Sequence, residues 1–360
     1  MSQNRSRHNP PDPSALVIRE GVDPALWDRY VRTEPCAEFT HLSSWGRVIE
    51  AVYGHKPVYL AVTETRGDSQ AVCGILPLFR FWSMAGGGRL VSLPFFDTAG
   101  LLGSSRVVES MLLKRAVALV QAHGFPGLEI RQDFPFICSP RVPGLRLKVA
   151  TLKMGLKLRL ESSPRKMMNR FRSKVRSQIN KGVKNGLKAR IGKAELIDPF
   201  YEVFSRNMRD LGSPVHSRRF FGTIMENFRE HAFICVVSWG QQPVAAGFMF
   251  RFKDEMKNPW ASSLRAFRPL APNMLLYWEM IRFACNLKLS WFDMGRSTRN
   301  APTFRFKQQW QPEARQLYWF QWSPGPDGLL AESLSFKCWP RLPVAMANLL
   351  GPMVRRHISL

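Results

Sequence analysis

LLYWEMIRFACNLKLSWFD, Leu275–Asp293, lies without a gap over LLKRAVALVQAHGFPGLEI, Leu112–Ile130. In both, an apolar stretch long enough for a helix breaks and is followed at once by a short apolar run that reads as a strand. A hairpin pattern precedes each. The first is Pro57–Thr65, the turn Arg66-Gly67-Asp68 and Ala71–Phe81; the second is Phe233–Ser238, the turn Trp239-Gly240-Gln241-Gln242 and Val244–Phe252. Within the hairpins Tyr59-Leu60-Ala61-Val62 matches Phe233-Ile234-Cys235-Val236, and Gly74 matches Gly247. A strand at Arg89–Pro94, a helix at Val107–His123 and a strand at Gly127–Arg131 complete the first copy. A helix at Asn273–Leu287 and a strand at Leu289–Asp293 complete the second. Identities are few, and amphipathic units resemble one another by chance, yet the repeated order predicts a duplicated mixed α/β domain.

Working outward, residues 1–14 are polar and Pro-rich, the composition of a disordered segment. Ala15-Leu16-Val17-Ile18 begins the ordered chain, with helices expected near Pro24–Thr33 and Thr40–Tyr53. The first domain is placed at 15–150, a linking strand and basic helical arm at 151–193, the second domain at 194–323 and a tail at 324–360. Gly86-Gly87-Gly88 lacks the Lys-Ser/Thr of a P-loop and reads as a plain loop.

The chain of 360 residues is 45% hydrophobic, enough for two ordinary cores. Its 52 Lys+Arg against 27 Asp+Glu give a formal charge of +25. That excess calls for an anionic partner: nucleic acid, nucleotide, polyanionic glycan or anionic lipid. The six cysteines are scattered, with no CxxC and no His/Cys cluster, so neither a zinc site nor a disulfide framework is indicated. The opening MSQNRSRHNPPDPSA has no apolar signal core, and no run of about 18 apolar residues occurs, so a cytoplasmic enzyme is expected.

Between the two copies, Pro164–Lys193 holds eleven Lys/Arg and no acid. Met167, Phe171, Val175 and Ile179 recur every four residues and lay an apolar stripe on a helix. Pro164 suits its first turn and Asn185-Gly186 its end, after which Leu187–Ile191 reads as a strand. Arg172 and Arg176 stand one turn apart with Lys174 and Lys181 nearby, so several of them could hold one anion. A merely solvated basic helix is the competing reading.

A second dense site follows the second copy, in Leu289–Trp310, LSWFDMGRSTRNAPTFRFKQQW. Asp293 ends the apolar strand, which should give way to a loop at Met294-Gly295-Arg296-Ser297. Arg296, Arg299, Arg305 and Lys307 then stand near a strand end, where α/β folds place ligands. Asp293 could take a proton from a nucleophile or merely orient Arg296; Tyr277 could relay a proton or simply pack. The tail carries Phe336–Pro343 and the apolar VAMANLLGPMVRRHISL. Val344–Val354 is too short to span a bilayer, which leaves contact with an anionic membrane interface or docking on the protein itself.

These motifs together resemble the FemAB-like proteins: GRS after an apolar strand, FKQQW downstream, LGSPV and RRFF within Leu211–Phe221, and a basic arm ending in KGVKNG. The resemblance runs colinearly over roughly Phe39–Trp322 and is nearest to the subgroup associated with PEP-CTERM/exosortase and exopolysaccharide loci. It implies tandem GNAT-like acyltransferase domains, with Lys307 at the functional lysine of the FK-x-x-W motif. It further implies acyl-CoA or aminoacyl-tRNA as donor, no permanently bound cofactor, and an anionic small-molecule or lipid-linked glycan as acceptor; the expected location is the cytoplasm, with the tail open to peripheral contact at the inner membrane. Two other functions remain open: a nucleic-acid-binding protein using the basic arm, and a non-catalytic GNAT-fold scaffold at the membrane.

Overall fold

The computed structural model describes residues 13–66, 69–83, 87–136, 145–325, 336 and 338–359. Expectations for 1–12, for the turn residues Gly67-Asp68, for Gly86 and for the linker beyond 325 lie outside these residues.

In chain order the first elements are β1 (Leu16–Glu20), α1 (Pro24–Thr33), α2 (Ser44–Tyr53), β2 (Pro57–Arg66), β3 (Ser69–Trp82), β4 (Gly88–Ser92) and β5 (Leu102–Gly103). α3 (Arg106–Ala122), β6 (Leu128–Gln132), β7 (Lys148–Ala150) and β8 (Lys153–Arg159) follow. Then come α4 (Pro164–Arg170), α5 (Ser173–Lys184), β9 (Leu187–Gly192), α6 (Ile197–Asp210), α7 (Arg218–Asn227), β10 (Ala232–Trp239), β11 (Gln242–Phe252) and β12 (Glu255–Ser263). The last are α8 (Pro272–Asn286), β13 (Trp291–Thr298), α9 (Pro302–Gln308), β14 (Glu313–Gln316), β15 (Tyr318–Trp322) and α10 (Val344–Arg355).

The chain forms two units, one of Met1–Leu152, Gln316–Glu332 and His357–Leu360, the other of Lys153–Arg315 and Ser333–Arg356. In the first, the sheet runs β1-β2-β3-β4-β6-β15-β7, with β5 beside β3. In the second it runs β14-β8-β13-β12-β11-β10-β9. Each contains an antiparallel hairpin, a third antiparallel strand, a helix and a strand returning parallel to the third: β2-β3-β4-α3-β6 and β10-β11-β12-α8-β13. The expected duplication is present, on mixed α/β architecture. The units are drawn differently from the expected domain limits, and the tail expected at 324–360 is shared between them. The strand flanking each parallel pair comes from outside the repeat: β15 pairs antiparallel with β6, and β8 with β13. Residues 318–322 therefore belong to the first sheet, and the segment 153–193 is integral to the second unit.

β12 escaped the sequence reading because Lys257, Asn258 and Pro259 break its apolar pattern. The register against β11 shifts between Phe248 and Phe250, which leaves Asn258 and Pro259 in a bulge. A proline, having no N–H, is tolerated there, and Asn258 Nδ2 bridges the gap by donating to the carbonyls of Phe248 (2.8 Å) and Trp260 (2.9 Å).

The basic arm is two helices and not one. Phe171 and Arg172 are both extended, with ψ of 146° and 151°, between α4 and α5. The stripe nonetheless holds: Met167, Phe171, Val175 and Ile179 are all buried in the core that includes α8. Burying each such side chain contributes about 1.5–3 kcal/mol, which outweighs the hydrogen bonds lost at the break. Ser163 caps α4 ahead of Pro164, and Gly186 at φ 78° follows α5, as those residue types require.

Candidate active site

In the second unit the parallel pairing of β12 with β13 lasts only from Glu255↔Trp291 to Lys257↔Asp293. Both strands continue beyond it, β12 to Ser263 and β13 to Thr298. β13 does not end in a loop at Met294, as its run of small and charged residues led one to expect. A bulge between Asp293 and Arg296 restores its pairing with β8, so Ser297 faces Met154 and Thr298 faces Lys153. Gly295 makes the bulge possible. Its φ is +72°, and a Cβ there would stand 3.2 Å from the Asn258 carbonyl oxygen and 3.9 Å from Lys307 Nζ.

Around this bulge the charged residues sort themselves. Asp293 is 3% exposed. One of its oxygens accepts from Gly295 N at 2.7 Å and the other lies 3.2 Å from Lys257 Nζ. The sequence offered Arg296 as its neighbour; the buried partner is Lys257, on the strand that was missed. A carboxylate so held closes the bulge and neutralises a buried ammonium. Lys307 is half-buried on α9, and its Nζ donates to the Arg296 carbonyl at 2.9 Å. Phe304-Arg305-Phe306, an apolar segment in the sequence, is the body of that helix, started by Pro302. Two buried side-chain oxygens near the end of the pairing have no hydrogen-bond partner, Asn258 Oδ1 on β12 and Ser297 Oγ on β13. Unpartnered atoms also occur elsewhere among the described residues, at Thr40 Oγ1 and Trp310 Nε1 for example; these two stand on the strands that part at the end of the pairing. Neither was singled out as a site residue: Asn258 lay in the missed strand, whereas Ser297 stood visibly in the GRS motif.

Tyr277 takes the packing alternative. It is buried, its ring lies 5.2 Å from Phe306 and 6.0 Å from Trp310, and desolvation raises its phenol well above the usual value. Phe171 meets Trp310 edge-on at 5.2 Å, which fastens the arm to the FKQQW segment. As the only aromatic in the arm and 2% exposed, it cannot stack on a base. Of the arm cations, Arg176 is spent on structure: its Nη1 donates to the carbonyls of Asn169 (3.3 Å) and Phe171 (3.0 Å) at the end of α4. Arg172, Lys174 and Lys181 are exposed, as are Arg299 and Arg305, whereas Arg296 is half-buried.

A separate cleft lies at the β9 edge, lined by Lys193, Phe233, Glu279 and Arg282. Its charges are matched within the fold: Lys193 donates to the carbonyls of Arg229 and Ala232, and Glu279 pairs with Arg282.

The first unit fills the equivalent place with its own chain. Beyond the short parallel pair Leu90↔Leu128 and Val91↔Glu129, Arg131 N donates to Ser92 Oγ at 2.9 Å. The buried Arg131 guanidinium donates to Glu129, to the Phe96 carbonyl and to both oxygens of Ser359. Phe95 N donates to the Ser359 carbonyl at 2.7 Å, and Arg89 donates to its hydroxyl at 2.8 Å. Burial pushes the Glu129 carboxyl up, but Arg131 and Arg89 outweigh it and leave the group below its ordinary range.

With this geometry in hand, comparison with known proteins is informative. Residues 169–308 match the acetyltransferase (GNAT) domain family. No curated protein matches the sequence significantly. Among solved structures, FemX is similar over 85% of this chain and 97% of its own, at 12% identity and a TM-score of 0.62. L-PGS from Bacillus licheniformis is similar over 95% and 98%, at 13% identity and 0.53. A tandem GNAT protein from the clavulanic acid biosynthesis pathway matches over 86% and 99%, again at 13% identity and 0.53. The chain thus carries a GNAT acyltransferase domain in its second unit, within a fold shared with tandem GNAT proteins.

Proposed function

We propose that the protein transfers an acyl or aminoacyl group to an amine on an anionic envelope or exopolysaccharide precursor, at the β12/β13 bulge of the second unit. The observation that carries this reading is the Lys307 ammonium held over the bulge at the Arg296 carbonyl, with the unsatisfied Asn258 and Ser297 oxygens on the two strands that part there. Attack of a neutral amine on the acyl carbonyl forms a C–N bond and develops an oxyanion, which then collapses with loss of the donor's thiolate or alkoxide, the proton shed by the nitrogen passing to that leaving group. Lys307 stabilises that oxyanion, and the facing edges of β12 and β13, no longer paired with each other beyond Lys257↔Asp293, align the donor. Asp293 fixes Gly295 and Lys257 and is not the base. Both candidate donors, acyl-CoA and aminoacyl-tRNA, carry phosphate. Arg265 and Arg268 are exposed in the turn Arg265–Leu270 just ahead of α8, and suit it. Arg299, Arg305, Arg172, Lys174 and Lys181 supply the charge for an anionic acceptor. The acceptor class rests on the FemAB-like motifs quoted above.

The test is Lys307→Met. An ammonium at a developing oxyanion contributes about 3 kcal/mol, so transfer should fall on the order of a hundredfold, while loss of the bond to the Arg296 carbonyl lowers the melting temperature only slightly. Acyl-CoA and charged tRNA, offered in parallel, decide the donor. Activity within threefold of wild type removes Lys307 from the mechanism.

A further inference from the structure

Helix α10 is docked with its small side chains inward. Ala347 and Gly351, one turn apart, are buried. A Cβ on Gly351 would come within 2.8 Å of Val215 Cγ1 and 3.0 Å of Val215 N, so only glycine allows this approach. Arg355 Nε donates to His216 Nε2 at 3.2 Å, and Arg209 Nη1 donates to the Leu342 carbonyl at 3.2 Å just ahead of the helix. The large apolar residues point the other way. Met346 is 47% exposed, Leu349 72%, Leu350 38% and Met353 64%. They stand at i, i+3, i+4 and i+7, a single continuous face. Leu211, 58% exposed, follows α6, the helix against which α10 packs.

A helix that faces its own fold with alanine and glycine, and water with leucine and methionine, inverts the ordinary amphipathic arrangement. The occupant of that face is identified by charge. Arg341 before the helix and Arg356 after it are both exposed, and the chain carries +25 overall. A second copy would bring a like charge to the same face and be repelled. An anionic lipid surface answers both the apolar stripe and the arginines. Spanning is excluded for Val344–Arg355, since no helix of the described residues is long and apolar enough to cross a membrane. We infer that α10 is a preformed in-plane anchor which seats the second unit on anionic lipid, Met346, Leu349, Leu350 and Met353 entering the acyl boundary between flanking arginines. Because the small-residue face holds the helix in place, the anchor is folded before it meets the bilayer, and binding does not carry the cost of ordering it.

The experiment is flotation of the full chain with vesicles of phosphatidylcholine alone and of phosphatidylcholine with phosphatidylglycerol. Wild type should float with the phosphatidylglycerol vesicles. Leu349→Gln with Met353→Gln should weaken this at least tenfold without lowering the melting temperature, since both side chains lie outside the core. Arg341→Gln with Arg356→Gln should remove the preference for phosphatidylglycerol. Unchanged flotation of the Leu349/Met353 variant overturns the inference. So does a wild-type dimer, seen without vesicle binding, that the same variant dissolves; the face then belongs to a second copy. Binding is read without turnover, so its outcome is independent of whether the transfer reaction proposed above is found.

Discussion

Asp293 is the residue at which chemistry and architecture compete. It stands beside the bulge where a base would be useful, yet its oxygens are taken up by Gly295 N and Lys257 Nζ in a site 3% exposed. Removing one partner of a buried ion pair strands the other, at a cost of about 3–5 kcal/mol. Asp293→Asn and Lys257→Met should therefore each lower stability by about that much in denaturant titration, and the double variant by clearly less than the sum. A catalytic base would behave otherwise: Asp293→Asn would abolish transfer at nearly native stability, and Lys257→Met would not mimic it. Lys257 could not have been chosen from sequence, because its strand was hidden by Pro259 and its partner lies one crossover away.

At the scale of the element, the arm shows a periodic pattern surviving a break in the helix that it predicted. The stripe Met167, Phe171, Val175, Ile179 is buried throughout, but the chain extends at Phe171–Arg172 so that the phenylalanine reaches Trp278 and Trp310. The break changes what the arginines do. Arg172 and Arg176 read as one anion-binding pair; in the fold Arg176 caps the end of α4 while Arg172 stays exposed. Arg176→Gln should thus cost roughly 1–2 kcal/mol in thermal unfolding, the net worth of charge-assisted bonds at a partly exposed site. Arg172→Gln with Lys174→Gln should leave the melting temperature alone and raise the KM for an anionic acceptor tenfold or more. The reverse assignment of the two effects would return Arg176 to the binding surface.

For the molecule as a whole, a pH dependence of stability is built into the attachment of α10. His216 is 1% exposed, lies 4.6 Å from the Phe220 ring and accepts from Arg355, so burial and then the nearby cation hold its pKa well below the usual 6.5. The unfolded chain takes up that proton near 6.5 and the folded chain does not. Stability is therefore at its full value above about pH 6.5 and falls as the pH is lowered beneath it, by at most about 1.4 kcal/mol per pH unit from this group. Thermal melts of wild type and His216→Gln between pH 7.5 and about 5 should diverge in slope, the variant being flatter. Parallel slopes would mean that His216 titrates normally.

The sequence by itself determined the repeated hairpin–helix–strand order, the helices at Pro24–Thr33 and near Asn273–Leu287, and the buried stripe of the arm. Those features are local: periodicity, turn residues and capping act within a dozen positions. Only the tertiary structure decided which sheet each late strand joins. An alternating apolar run such as Tyr318–Trp322 is satisfied by any open sheet edge, and its place beside β6 is settled by contacts distant in the chain. The same holds for the Lys257–Asp293 pair, for the orphaned oxygens of Asn258 and Ser297, and for Ser359 between Arg89 and Arg131. Each depends on two segments brought together by folding, and nothing in the local pattern of either one names the other.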